Sequence, residues 1–315
     1  MIENLVSVTP DDYARLFPTP STAFGTAAFN MLNSAKVSRI EFLAGLDSDS
    51  RPLMGMIAGL RDGIWRSPFS APMAALSWNR DLRLSTVADF FSKVKKHLSP
   101  YPLHIMLPPE FIAPSMLAKI AGTALNMASK AIVGYNYHYD LSLLPDFEKH
   151  LTPAAHRHFK RALRENLVFE TSTLSMAYPV IRANYTAKNY RLPMSLSNLE
   201  DTAKIIDIDP FILRHGDTVV AAAIIYRIAP GIAHLVYWSN MPGTESMRPM
   251  NILPFHIFRY YAGLGFKIVS LGTSSTDGVP NYGLCDFKSS LGCTTTLIPT
   301  ITIHNSCCAS AKAMT

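Results

Sequence analysis

The sequence predicts an α/β protein of two tandem domains, each a mixed, mostly antiparallel sheet flanked by helices. Three observations carry this. One order of elements (helices, a meander of strands, then helix, strand, helix, strand) reads twice along the 315 residues. Apolar residues make up 48% of the chain and charged residues 17%, which suits buried cores and argues against disorder. A chain of this length holds about two domains.

The first half opens with Thr9-Pro10-Asp11-Asp12, a helix start with Pro in the first position and acids in the first turn. A second helical stretch covers residues 21–32. A hairpin follows, residues 39–46 and 53–60 around Asp47-Ser48-Asp49-Ser50. The turn Arg61-Asp62-Gly63 leads into a strand at Ile64-Trp65-Arg66. Val87, Phe90, Phe91 and Val94 share one face of a helix over 85–97. Residues 102–107 read as a strand, 114–127 as a helix and 131–139 as a last strand.

The second half repeats this order. Thr152-Pro153 starts a helix to about residue 167, and residues 178–190 and 197–206 are helical. Strands follow at 211–214, 219–227 and 232–238, with turns at His215-Gly216-Asp217 and Pro230-Gly231. A helix over 251–262 stops at Gly263-Leu264-Gly265. A strand at Ile268, a short helix from Asn281 and a strand over 294–303 complete it. The expected domains are 1–148 and 149–304, with 305–315 a flexible tail.

No apolar run reaches the roughly 18 residues of a membrane helix, and the start of the chain shows no secretory pattern. A cytoplasmic protein without an integral membrane segment is expected. Cys285, Cys293, Cys307 and Cys308 lack zinc spacing and read as free thiols, and no metal site is expected. The net charge of +6 is uneven: residues 151–315 hold 15 Lys and Arg against 10 Asp and Glu. That excess suggests an anionic ligand such as the phosphates of a nucleotide, of coenzyme A or of tRNA. No RNA-binding module signature appears, and no DNA partner is expected.

Several residues bear chemistry. Arg157, Lys160, Arg161 and Arg164 share one helical face, either a phosphate contact or a solvated surface. Met247-Arg248-Pro249-Met250-Asn251 opens a helix, where Arg248 and Asn251 suit phosphate at a helix start. Trp65-Arg66-Ser67-Pro68-Phe69-Ser70-Ala71-Pro72 is a rigid loop. Its Arg66, Ser67 and Phe69 either line an acceptor cleft or build the core. His234 lies on an apolar strand as a general base or a satisfied core residue. No seryl nucleophile elbow, Walker loop or dinucleotide fingerprint is present.

The most specific segment is Asn281-Tyr282-Gly283-Leu284-Cys285-Asp286-Phe287-Lys288-Ser289-Ser290-Leu291-Gly292-Cys293. It resembles the closing element of the GNAT acyltransferase fold, in which an Asn starts the last helix and a titratable residue stands seven positions on. Acetyl-CoA enzymes keep a Tyr there. Phe287-Lys288 is similar instead to the Fem-type branch, bacterial enzymes that move amino-acid or other acyl groups onto amines of cell-envelope precursors. The resemblance implies N-acyl transfer from a phosphate-bearing carrier, acyl-CoA or aminoacyl-tRNA, as a co-substrate with no tightly bound cofactor. The acceptor is a small-molecule or nucleotide-linked amine. Lys288, Asn281 and His234 take the catalytic places, with Tyr237 beside the acyl group on a splayed strand. The glycines of the GNAT pyrophosphate loop are missing around Arg248, which also suits a catalytically inactive binding protein.

Overall fold

The computed structural model describes residues 1–304 of the chain. The chain folds as two compact units. One is Met1–Gly134 with the last strand from Leu297 on; the other is Tyr135–Thr296.

The first unit contains β1 (Asn4–Ser7), α1 (Pro10–Leu16), α2 (Ala27–Leu32), β2 (Arg39–Leu46) and β3 (Pro52–Arg61). Then come β4 (Ile64–Ser67), β5 (Ala75–Trp78), α3 (Leu84–His97), β6 (Leu103–Met106) and α4 (Pro114–Asn126). The expected helix over 21–32 is shorter: a 3-10 turn at Ala23–Gly25 precedes α2, because Thr26 caps α2 by accepting from Phe29 N. Strand order is β1-β2-β3-β4-β6, with β5 also on β3. β4 and β6 run parallel; the other described pairs of this unit are antiparallel. Phe90, Phe91, Leu117 and Ile120 fill the core between the sheet and the helices α3 and α4.

The second unit begins within β7 (Lys130–Asp140) and continues through α5 (Phe147–His150), α6 (Pro153–Ala162), β8 (Val168–Thr171), α7 (Leu174–Ala187) and α8 (Leu196–Ala203). Strands β9 (Ile208–His215), β10 (Thr218–Ala229) and β11 (Ile232–Asn240) form a meander. Then follow α9 (Pro249–Gly263), β12 (Ile268–Thr273), a small hairpin of β13 (Ser275–Thr276) and β14 (Val279–Pro280), α10 (Tyr282–Ser290) and β15 (Thr294–Ile303). Strand order is β7-β12-β11-β10-β9-β8, with only β11 and β12 parallel among the described pairs. Tyr139 stacks on Phe258 at 4.1 Å, and Phe211, Ile257 and Tyr261 complete the core under α9. Asp277 and Gly278 both have positive φ, the geometry of a tight hairpin turn joining β13 to β14.

The repeat is visible strand by strand, but its boundary differs from the expectation. The divide falls at Gly134 instead of residue 148, and the final strand does not stay with the second unit. Asn136–Asp140 of β7 pair with β12, while Thr300–Ile303 of β15 pair with β6. Each repeat therefore gives its last strand to the other unit. The strands are similar in length, 11 and 10 residues, and each pairs with an antiparallel edge, so nothing local to either one fixes its partner. The tail expected at 305–315, with Cys307 and Cys308, lies outside the described residues.

Candidate functional site

The site of the second unit grows from the place where two parallel strands part. β11 and β12 make three register pairs, Ile232–Ile268, Ala233–Val269 and His234–Ser270, and the ladder stops. β11 bulges at Val236, since Leu235 faces Ile225 while Tyr237 faces Ile224. β12 has its own irregularity between Ser270 and Gly272. Gly272 has φ +73°, a conformation that turns β12 away and that a side chain disfavours.

Helix α10 closes this divergence. Asn281 caps it: its Oδ1 accepts from Leu284 N at 3.1 Å, and its own N–H donates to Ser274 O at 2.8 Å. One face of α10 then carries Cys285 and Lys288 inward. Lys288 is 2% exposed. Its Nζ donates to Leu271 O at 2.7 Å, Gly272 O at 3.0 Å and Thr273 O at 3.2 Å. These are the consecutive carbonyls at which β12 leaves the sheet. The Tyr137 ring lies 5.7 Å from Nζ. Lys288 makes no salt bridge among the described residues, and burial lowers its pKa to about 8.

The first unit supplies an internal control. Its β4–β6 ladder also has three parallel pairs, ending at Ser67–Ile105. There the gap is bridged by backbone: Ala74 N donates to Met106 O at 2.7 Å. Helix α4 starts after Ala113, and its seventh residue is Ile120, fully buried. The same position in α10 is Lys288. An aliphatic side chain thus satisfies this packing in one repeat, while the other buries an ammonium there at an energetic cost.

His234 is 5% exposed, and its Nδ1 lies 3.1 Å from Ser270 Oγ. Burial first, and the Lys288 charge second, depress its pKa to about 4. At neutral pH it is an uncharged imidazole and a weak base. Tyr237 is buried further along β11, and burial raises its phenol to about 12.

The basic residues meet elsewhere in the same unit. Arg248 takes a left-handed conformation (φ +55°) before α9, and its buried Nε has no hydrogen-bond partner. His158 on α6 has its pKa lowered, by burial first and then by Arg248, Arg157 and Arg161, which places these cations around it. Arg157 and Arg161 are exposed, with Glu165 3.8 Å from Arg161. Asn251 donates its N–H to Arg248 O. No described hydrogen bond or ion pair links this group to Lys288.

In the first unit the loop residues divide. Ser67 is fully buried, donating to Ile57 O at 2.8 Å and accepting from Ala75 N at 3.2 Å. Phe69 is buried against Ile57 and Ala75. Of the two readings the sequence left open for them, acceptor cleft or core, both are buried in the core. Arg66 stays half-buried, and its Nε has no partner. Sequence reasoning missed Tyr137, Ser270 and Gly272: the Tyr137 ring faces Lys288 Nζ, Ser270 Oγ meets His234, and Gly272 O accepts from Lys288.

These features define a Fem-like tandem-GNAT fold. The chain is similar to the crystal structure of FemX at TM-score 0.65 and 8% identity, covering 95% of this chain and 97% of that one. It is similar at TM-score 0.59 and 11% identity to the C-terminal domain of an Agrobacterium fabrum protein described as a lysylphosphatidylglycerol synthetase, with 94% and 93% covered. A tandem GNAT protein from the clavulanic acid biosynthesis pathway matches at TM-score 0.51 and 12% identity, covering 95% and 97%. No protein-family model and no curated protein sequence matches the chain. No helix among the described residues is long and apolar enough to cross a membrane.

Proposed function

We propose that the chain is an N-acyltransferase that moves an acyl or aminoacyl group from a phosphate-bearing carrier to an amine, with its reaction centre at the β11–β12 divergence. The observation that carries this reading is Lys288. It is a buried ammonium held against the three carbonyls where the strands part, in the one repeat whose gap has no backbone bridge among the described residues. The structural neighbours, a FemX and a lysylphosphatidylglycerol synthetase domain among them, favour the same chemistry.

In this reading the amine nitrogen attacks the acyl carbonyl. A C–N bond forms, the carrier's C–S or C–O bond breaks, and the proton lost by the amine ends on the departing thiol or hydroxyl. N–H groups of β11 beyond His234 polarise the carbonyl. Lys288 works mainly as a positioning residue: its three N–H groups hold β12 apart, and its charge favours negative charge developing nearby. Asn281 sets the register of α10. Arg248, with Arg157, Arg161 and the first turn of α9, holds the carrier's phosphates, for either acyl-CoA or aminoacyl-tRNA. Proximity of the two substrates supplies much of the rate.

A second reading rests on the same contacts. Every Lys288 N–H already has an acceptor, and the loop before α9 lacks the GNAT glycines, as in a binding protein without activity. Incubation with labelled acyl-CoA or aminoacyl-tRNA and an amine separates the two. Product formation supports transfer; stoichiometric carrier binding without product supports the binding protein.

A further inference from the structure

The α7 side of β11 carries a group of tyrosines that the proposed chemistry leaves unused. Asn184 Nδ2 donates to Asn240 O at 2.9 Å and pins the C-terminal turn of α7 to β11. This places Tyr185 against Tyr237, centroids 5.8 Å apart and ring planes at 88°. Tyr190, two residues past Lys188 at the end of α7, packs on Tyr185 at 6.2 Å and 82°. Tyr178 Oη donates to Met194 O at 3.0 Å and closes the loop that carries Tyr190. Exposure grades outward: Tyr237 is 5% exposed and Tyr190 62%.

We propose that Tyr185, Tyr190 and Tyr237 form an aromatic corner that binds an alkylammonium group, which in the transferase reading is the amine of the acceptor. The ring planes decide which ligand fits. Tyr185 stands perpendicular to both neighbours, so the faces meet at right angles. A compact cation fits a right-angled corner and meets two π faces at once. The phenols stay neutral, since burial raises Tyr185 and Tyr237 above the usual tyrosine range. An aromatic corner also suits an amine that must react. A carboxylate partner would raise the amine pKa and hold its proton, while a neutral ring attracts the cation without fixing the proton so firmly. Tyr237 sits just past the Val236 bulge on β11, three residues beyond His234, where the β11–β12 ladder ends.

The experiment uses the full chain with ring-labelled tyrosine, titrated with choline and with its neutral isostere 3,3-dimethylbutan-1-ol, followed by NMR. Choline should shift the Tyr185, Tyr190 and Tyr237 signals saturably. The isostere should bind about tenfold more weakly, the range expected of one cation–π contact set. Tyr190→Leu, at an exposed site, should weaken choline about tenfold with an unchanged melting temperature, and Tyr190→Phe should restore binding. Equal affinity for the two probes, unmoved tyrosine signals, or full choline binding by Tyr190→Leu would overturn the proposal. The transferase reading is separable. If choline binds as stated while no carrier supports transfer, the corner stands and the reaction falls. If transfer occurs while choline leaves the tyrosines unmoved, the reverse holds.

Discussion

Replacing Lys288 by Met should change how stability depends on pH, and the size of the change follows from burial. Unfolded, the Lys288 amine titrates near 10.5; folded, near 8. The folded state therefore resists protonation. Below pH 8 both states carry the proton and the folded protein bears the full cost of a buried charge. Between pH 8 and 10.5 the unfolded chain holds the proton and the folded one does not, so stability rises with pH. A shift from 10.5 to about 8 amounts to roughly 3 kcal/mol. Lys288→Met removes this dependence. It also leaves the carbonyls of Leu271, Gly272 and Thr273 without their donor, a loss that varies little with pH. The tyrosines that titrate at high pH are common to both proteins and cancel in the difference. Urea unfolding of both proteins at pH 7, 8, 9 and 10 measures it. The wild type should gain most of those roughly 3 kcal/mol relative to the variant over this range. A constant difference would refute the idea that Lys288 is a buried cation in a poorly solvated place.

Other outcomes follow from the same geometry. His234 is held near pKa 4 against an unfolded value of 6.5, so its contribution is present above 6.5 and lost as pH falls toward 4. The wild type should lose roughly 3 kcal/mol more than His234→Gln between pH 7 and 4, by urea unfolding. Asn281→Ala removes the α10 cap and should cost about 1 kcal/mol, seen as a lower urea midpoint with an unchanged slope. Arg248→Ala should weaken binding of acyl-CoA or aminoacyl-tRNA by about 1.5–3 kcal/mol in calorimetry, and wild-type binding should weaken as salt rises. Unchanged affinity removes Arg248 from the carrier site.

Much of the fold was legible in the sequence because its signals are local. Thr9-Pro10 and Thr152-Pro153 open helices with their caps in place, and Asn281 accepts from Leu284 N as an N-cap should. The short edge strands β1 and β8 were not legible: four residues each, they pair only through partners far along the chain. The exchange of β7 and β15 was hidden for the same reason. At the site, the register of Asn281 and Lys288 was readable, but what Lys288 touches was not. Its acceptors are backbone carbonyls, which carry no residue-type signal. For Ser67 and Phe69 the sequence left cleft and core equally open, and packing with Ile57 and Ala75, which lie apart in the chain, takes both inside. The tyrosine corner joins residues 185, 190 and 237, and the Asn184–Asn240 bond brings α7 and β11 together there.

The reaction assigned to the β11–β12 divergence is tested most directly by single-turnover transfer of a labelled group from acyl-CoA or aminoacyl-tRNA to an amine acceptor, comparing wild type with Lys288→Met at pH 7. The wild type should transfer, and the variant should lose on the order of 100-fold in rate with carrier affinity nearly unchanged. Undiminished transfer by Lys288→Met, or no transfer by the wild type from either carrier, would contradict the assignment.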